Sequence, residues 1–166
     1  MAPTLTIVAA RPDSPEAMEL LAELDAALHE YPYPPESRHA FSIDKLIRES
    51  VAFFVASIDG KLAACGGVKL FADYAEVKRM YVRPAFRGKG LGKAILSHLA
   101  EHARANGINT LRLETGIYQV EAIGLYDGWG FQRRGPFGEY KKDPNTVYFE
   151  KPLPQSNSPS SANRER

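Results

Sequence analysis

The sequence predicts a mixed α/β fold in one domain, with about seven strands and about four flanking helices. Three observations predict it. The chain has 166 residues, 44% of them hydrophobic and 25% charged, which suits one soluble core. Strand-forming runs alternate with runs at helical spacing, in the order strand, two helices, hairpin, strand, helix, strand, helix, strand, strand. Turn and cap signals separate the runs, and no internal repeat is present.

Thr4–Ala10 reads as a short strand. Ser14 offers a helix N-cap with Pro15 at the first helical position. Met18, Leu21, Leu24, Leu28 and Tyr31 recur at helical spacing and predict one buried face, ended by the prolines of "YPYPPE". Ser42 caps a short helix, Ile43–Arg48. Val51–Ile58 is rich in strand formers, and Asp59-Gly60 is a hairpin turn signal returning into Lys61–Phe71. Gly66-Gly67 inside that strand predicts a bulge or a close backbone approach. Ala75–Val82 is a strand, and Leu91–Ala105 a helix with an apolar stripe at Leu91, Ile95, Leu99 and Ala103. Asn106-Gly107 ends it through a left-handed C-cap. Thr110–Thr115 is a strand, Gln119–Trp129 a helix, and Phe131–Arg134 and Val147–Glu150 the last strands. Residues 1–153 are read as the domain; residues 154–166, with little to bury, are expected to be a disordered tail.

The net charge of +1 supplies no global field for nucleic acid or an anionic membrane, so neither is an expected partner. No apolar run approaches a bilayer span, and the N-terminus lacks the pattern of a signal peptide. A single cysteine, Cys65, forms no intramolecular disulfide, so a cytoplasmic setting is expected. Cys65 stands in apolar "LAACGGV" and reads as a buried structural thiol. His98 and His102 lie one helical turn apart, but Leu99 replaces the glutamate of a zinc-protease helix, so both read as solvated helix residues. No Cys/His cluster has metal spacing, and no metal is expected.

The segment "YVRPAFRGKGLGKAI" carries the chemistry. Gly88, Gly90 and Gly92 alternate with basic residues and open a helix after a strand. The first N–H groups of a helix are unpaired and sit at the positive end of its dipole, which suits a phosphate. Arg87, Lys89 and Lys93 add positive charge. A nucleotide P-loop fails here, because Ala94 stands where a hydroxyl should bind magnesium and Arg87 where a glycine is needed. The dinucleotide pattern fails as well, since neither Lys93 nor Ile95 is its third glycine.

Arg87-Gly88-Lys89-Gly90-Leu91-Gly92 matches the Gln/Arg-x-x-Gly-x-Gly/Ala signature of the GNAT superfamily of acyl-CoA-dependent N-acyltransferases, and "AIGLYDGWGF" resembles that family's downstream segment. The resemblance spans roughly Val51 to Lys151. It implies a mostly antiparallel sheet splayed at its central strands. It implies that the loop, from Arg87 through Gly88, Lys89, Gly90, Leu91 and Gly92 to Lys93, holds the coenzyme A diphosphate. It also implies that the backbone of Met80, Tyr81 and Val82 lies along the pantetheine arm, one N–H reaching the thioester oxygen. Acetyl-CoA is then the co-substrate, and a homodimer is an option that many members adopt.

The implied reaction is aminolysis of a thioester. The amine must lose a proton and the thiolate gains one. Tyr126 matches the family's tyrosine and is the general-acid candidate. Glu76, on the central strand, is the candidate base, with Glu114 second; the plain alternative is a strand glutamate paired with a cation such as Arg112. Gln119 replaces a common asparagine; its amide is placed to bond the cofactor arm or to cap the helix. Tyr31, Tyr33, Phe41, Phe137 and Tyr140, with Glu30, Glu36 or Glu139, are the candidate acceptor rim, fitted to a small-molecule amine or a peptide. Two functions follow: an acetyl-CoA-dependent N-acetyltransferase, or a sensor of the same fold that binds acyl-CoA without turnover.

Overall fold

The computed structural model describes residues 2–39 and 41–154, so the expected tail falls outside the described residues apart from Pro154. The strands are β1 (Leu5–Ala9), β2 (Ala52–Ile58), β3 (Lys61–Leu70), β4 (Ala75–Val82), β5 (Thr110–Gly116), β6 (Gln132–Arg134) and β7 (Thr146–Pro152). The helices are α1 (Pro15–His29), α2 (Ile43–Arg48), α3 (Leu91–Ala105) and α4 (Val120–Trp129). The strands form one sheet in the order β1-β2-β3-β4-β5-β7-β6. Every neighbouring pair is antiparallel except β4 and β5.

Alternation along the strands sends side chains to two faces. Phe53, Val55, Cys65 and Tyr81 pack under α1 and α2. Phe54, Ala56, Ala64, Val68, Leu111 and Phe149 pack with α3 and Tyr126 of α4 on the other. The α3 stripe is buried as its spacing requires. In α1 the buried set is Ala17, Leu20, Leu21 and Leu24. That i, i+3, i+4, i+7 face leaves Met18 46% exposed. Tyr31 lies past the helix end and is exposed. Ser14 Oγ and Ser42 Oγ accept the cap N–H groups of Ala17 and Lys45 at 3.3 and 3.1 Å. His98 and His102 are half-buried with their rings edge-on to Phe54, so they pack the helix to the sheet rather than stand in solvent.

Two irregularities in β4 position the site. First, β4 and β5 pair only at Ala75–Leu111 and Glu76–Arg112. Beyond Glu76 the strands part, while β5 stays paired to β7 along its length. Second, β4 bulges: Lys78 pairs with Gly67 and Tyr81 with Cys65, so β4 spends one residue more than β3. Arg79 takes the strain, with φ of 56°. Its guanidinium bonds Asp25 of α1 at 2.6 Å, and its carbonyl accepts from Cys65 Sγ at 3.4 Å. The Gly66-Gly67 signal thus marks the right place, but the extra residue sits on the partner strand. A Cβ on Gly66 would lie 2.8 Å from both Ile95 and Met80, so β3 is glycine there because α3 and β4 press on it.

Candidate active site

The glycine loop follows β4 through a 3₁₀ turn at Pro84–Phe86. Gly88 and Gly90 take φ of 76° and 78°, a left-handed geometry that disfavours side chains. No neighbour crowds either one. Gly92 has a different reason: a Cβ there would stand 2.7 Å from Leu125, so its absence lets α4 lie against α3. Ala94 N–H, bonded to Gly90 O at 3.0 Å, begins the helical ladder. The N–H groups ahead of it, through Gly88, stand at an exposed helix N-terminus. Arg87 links the end of β4 to α4, with Nε donating to Val82 O at 3.0 Å and Nη1 3.3 Å from Glu121. Lys89 and Lys93 are exposed.

The parting of β4 and β5 opens a cavity of about 520 Å³. Met80, Glu76, Glu114, Gln119 and Tyr126 line it, with Tyr33 from the segment after α1. Tyr81 faces the opposite side of the sheet, where its hydroxyl meets Glu23 at 3.2 Å. Tyr33 lies against Gly116, where any Cβ would collide with it, and its hydroxyl accepts from Tyr118 N–H at 2.9 Å and Gln119 Nε2 at 3.4 Å. Gln119 holds the N-cap position of α4 but makes no side-chain cap, so of its two expected roles capping is not the one adopted.

The carboxylates differ in setting. Glu76 is 3% exposed, yet fully partnered at Oε2: Tyr140 OH donates at 2.5 Å and Lys78 Nζ lies at 3.0 Å. Lys78 Nζ also reaches Tyr140 OH at 3.1 Å, closing a triangle. Arg112, the alternative partner weighed from sequence, pairs instead with Glu150 at 2.7 Å. Among the described residues Glu114 has no such partner. Burial first, and then the charge of Glu76, push its carboxyl up to about 7. Tyr126 is buried against Phe131 and Phe149, and burial followed by the charge of Glu114 raises its phenol well above the ordinary range. Cys65 is pushed up to about 12 by burial, which leaves the thiol inert.

A second cavity, of about 810 Å³, adjoins the first and shares Arg38, His39, Phe41, Glu76 and Lys78 with it. Of the expected rim, Phe41, Tyr140, Glu36 and Glu139 line this cavity. Phe137 is buried between Tyr74 and Tyr148, and Tyr31 stacks on Tyr118 outside both cavities. Among the described residues, no cluster of three or more His, Cys, Asp or Glu side chains has metal-binding geometry, and no helix is long and apolar enough to cross a membrane.

Residues 18–131 match the acetyltransferase (GNAT) family. The chain belongs to this family. It is 40% identical over 153 residues to the IAA acetyltransferase of Azospirillum brasilense, covering 91% of this chain and 99% of that protein. It is 38% identical over 123 residues to the N-acetyltransferase YsnE of Bacillus subtilis strain 168, itself uncharacterised, covering 72% and 82%. A solved structure from Klebsiella pneumoniae, described as a candidate acyl-CoA N-acyltransferase, superposes with a TM-score of 0.75 at 35% identity, covering 90% of this chain and 98% of that one.

As a GNAT acetyltransferase the chain uses acetyl-CoA as its acyl donor, and the family match favours the enzyme over the sensor. The fold brings Glu76, Glu114, Met80, Gln119 and Tyr126, which the resemblance implied for one reaction, to one cavity. Lys78 was missed, although side chains at i and i+2 of a strand share a face and Glu76 signalled it. Tyr140 was expected as an aromatic wall and proves to be a hydrogen-bond donor to Glu76.

Proposed function

We propose that the chain moves an acetyl group from acetyl-CoA to a primary amine of a small molecule or peptide, by direct attack in a ternary complex. The observation that carries this is the slot between β4 and β5, lined by Met80, Glu114 and Tyr126, with the exposed glycine loop at the head of α3 following the same strand β4. In this reading the N–H groups of Gly88 to Lys93 hold the diphosphate, and the unpaired edge of β4 around Met80 and Val82 lies along the pantetheine arm. A backbone N–H of that edge stabilises the negative charge that develops on the thioester oxygen.

Glu114 is the better base of the two carboxylates. Its pKa of about 7 lets it take a proton from the amine near neutral pH, and a carboxyl of that strength can pass the proton to a departing thiolate. Glu76 has its Oε2 occupied by Tyr140 and Lys78, so its part is to raise Glu114. The Tyr126 phenol is too weak an acid to release its proton outright; it donates a hydrogen bond to the leaving sulfur.

In this reading the protein acts in the cytoplasm, the default setting for a chain with a single cysteine. The test follows thiol release from acetyl-CoA with polyamines, amino acids, aminoglycosides and peptides, beside calorimetry with coenzyme A. Saturable binding with release by at least one amine class is expected. Absence of heat with coenzyme A at millimolar concentration overturns the cofactor site; binding without release from any amine overturns the transfer.

A further inference from the structure

We propose that the acceptor amine also carries a carboxylate, held by Lys45 and Lys69 in the second cavity; this rests on the acetyl-transfer reading. That cavity adjoins the slot through shared walls at Glu76 and Lys78, so an acceptor with its amine at Glu114 extends its other end into it.

The inner wall has a surplus of positive charge. Lys69 and Lys45 both pair with Glu49, the latter at 3.8 Å. Lys78 pairs with Glu76 at 3.0 Å. Glu49 is held below the usual carboxylate range by Lys69 first, with the charges of Lys45 and Lys78 also contributing. Three ammonium groups against two carboxylates leave one positive charge uncompensated. Elsewhere the lining balances: exposed Lys141 and Lys142 offset Glu36 and Glu139, and Arg38 offsets Asp143.

The aromatic faces point the same way. Sequence assigned them to the acceptor's ammonium group. In the structure Phe41 holds the chain's own: Lys78 and Lys45 lie 4.2 and 4.5 Å from its centroid, and outside the expected rim Lys69 lies 4.6 Å from the centroid of Phe71. A second cation from the acceptor would meet three like charges, whereas an anion completes the set. His39 adds a ligand-facing group: it lines both cavities, burial lowers its pKa, and its buried Nε2 has no partner among the described residues.

The experiment compares β-alanine, γ-aminobutyrate, phenylalanine and glutamate, each with its α- or terminal carboxamide counterpart. Binding to the full chain is measured with and without coenzyme A, and kcat/KM with acetyl-CoA. An α-carboxamide makes the neighbouring amine less basic and easier to deprotonate, so a preference for the acid there runs against intrinsic reactivity. At least one acid is expected to bind 10-fold or more tightly than its amide. Lys45→Gln/Lys69→Gln should shrink that ratio at least 5-fold, and Lys69→Arg should keep it. Thermal denaturation confirms that each variant is folded. Equal binding of acid and amide in every pair, or a ratio untouched by the double variant, overturns the proposal. Loss of coenzyme A binding by the wild-type chain would instead strike the reading beneath it, and the acid–amide ratio measured without coenzyme A still decides this one.

Discussion

Glu114 and Glu76 are chemically the same group, and their surroundings give them different electrostatic settings. Glu114 has a carboxyl raised from an ordinary 4.5 to about 7. Between those values the folded chain keeps a proton that the unfolded chain has lost, so this group's contribution to stability is full at acid pH and fades as pH rises through about 7. Glu114→Gln should therefore raise stability at pH 8 by roughly 1–3 kcal/mol, read as a higher melting temperature, with the gain vanishing near pH 4. The same variant should flatten the alkaline rise of kcat/KM around pH 7 and lower its plateau at least 100-fold. If the profile keeps its inflection, the base is elsewhere. Tyr126→Phe should lower kcat on the order of 10²-fold while coenzyme A still binds, the loss typical of one preorganised donor. A kcat within threefold of wild type would mark Tyr126 as a packing residue.

Elements place these groups. The bulge at Arg79 and the early parting of β4 from β5 turn a paired strand into an open edge beside the slot. Arg79 and Arg83 tie that edge to α1 through Asp25, Glu19 and Glu23. Glycines on the two helices have unlike purposes. Gly90 requires φ of 78°, so Gly90→Ala should destabilise by about 1–2 kcal/mol and weaken coenzyme A binding at least 10-fold by calorimetry. Gly124 lies inside α4 with open space where a Cβ would go, so Gly124→Ala should stabilise by about 0.5–1 kcal/mol with transfer unchanged. The opposite signs separate a loop built for a ligand from a helix position of low propensity.

At the scale of the molecule, the sheet lies between α1 and α2 on one face and α3 and α4 on the other, and the ligand slot divides it between β4 and β5. A ligand filling the slot bridges two halves that backbone hydrogen bonds join at only two registered pairs. Coenzyme A at 100 times its dissociation constant should add about 2.7 kcal/mol and raise the melting temperature by roughly 5–10 °C. Hydrogen exchange should slow most at Gly88–Lys93 and along Met80–Val82. Slowing confined to the second cavity would place the cofactor elsewhere.

Most element positions were written locally. Ser42, Asp59-Gly60 and Asn106-Gly107 mark boundaries by caps and turns that need no distant partner: α2 begins, β2 ends, β3 begins and α3 ends where those signals put them. The α1 face was misread because Met18 and Ala17 both satisfy a helical period, and only the fit against the sheet chooses Ala17. The glycine loop, proposed above to hold the phosphates, was legible as a local unit because its whole motif lies within seven residues. The proton chemistry was not, since Glu76 and Tyr140 are 64 positions apart and their bond exists only once the sheet is assembled. By itself the sequence determined the helices, the strands and the glycine loop at the head of α3, all products of short-range geometry. Only tertiary structure decided which carboxylate has no close partner among the described residues and which cations gather in the second cavity, because burial and charge proximity are properties of space rather than of chain order.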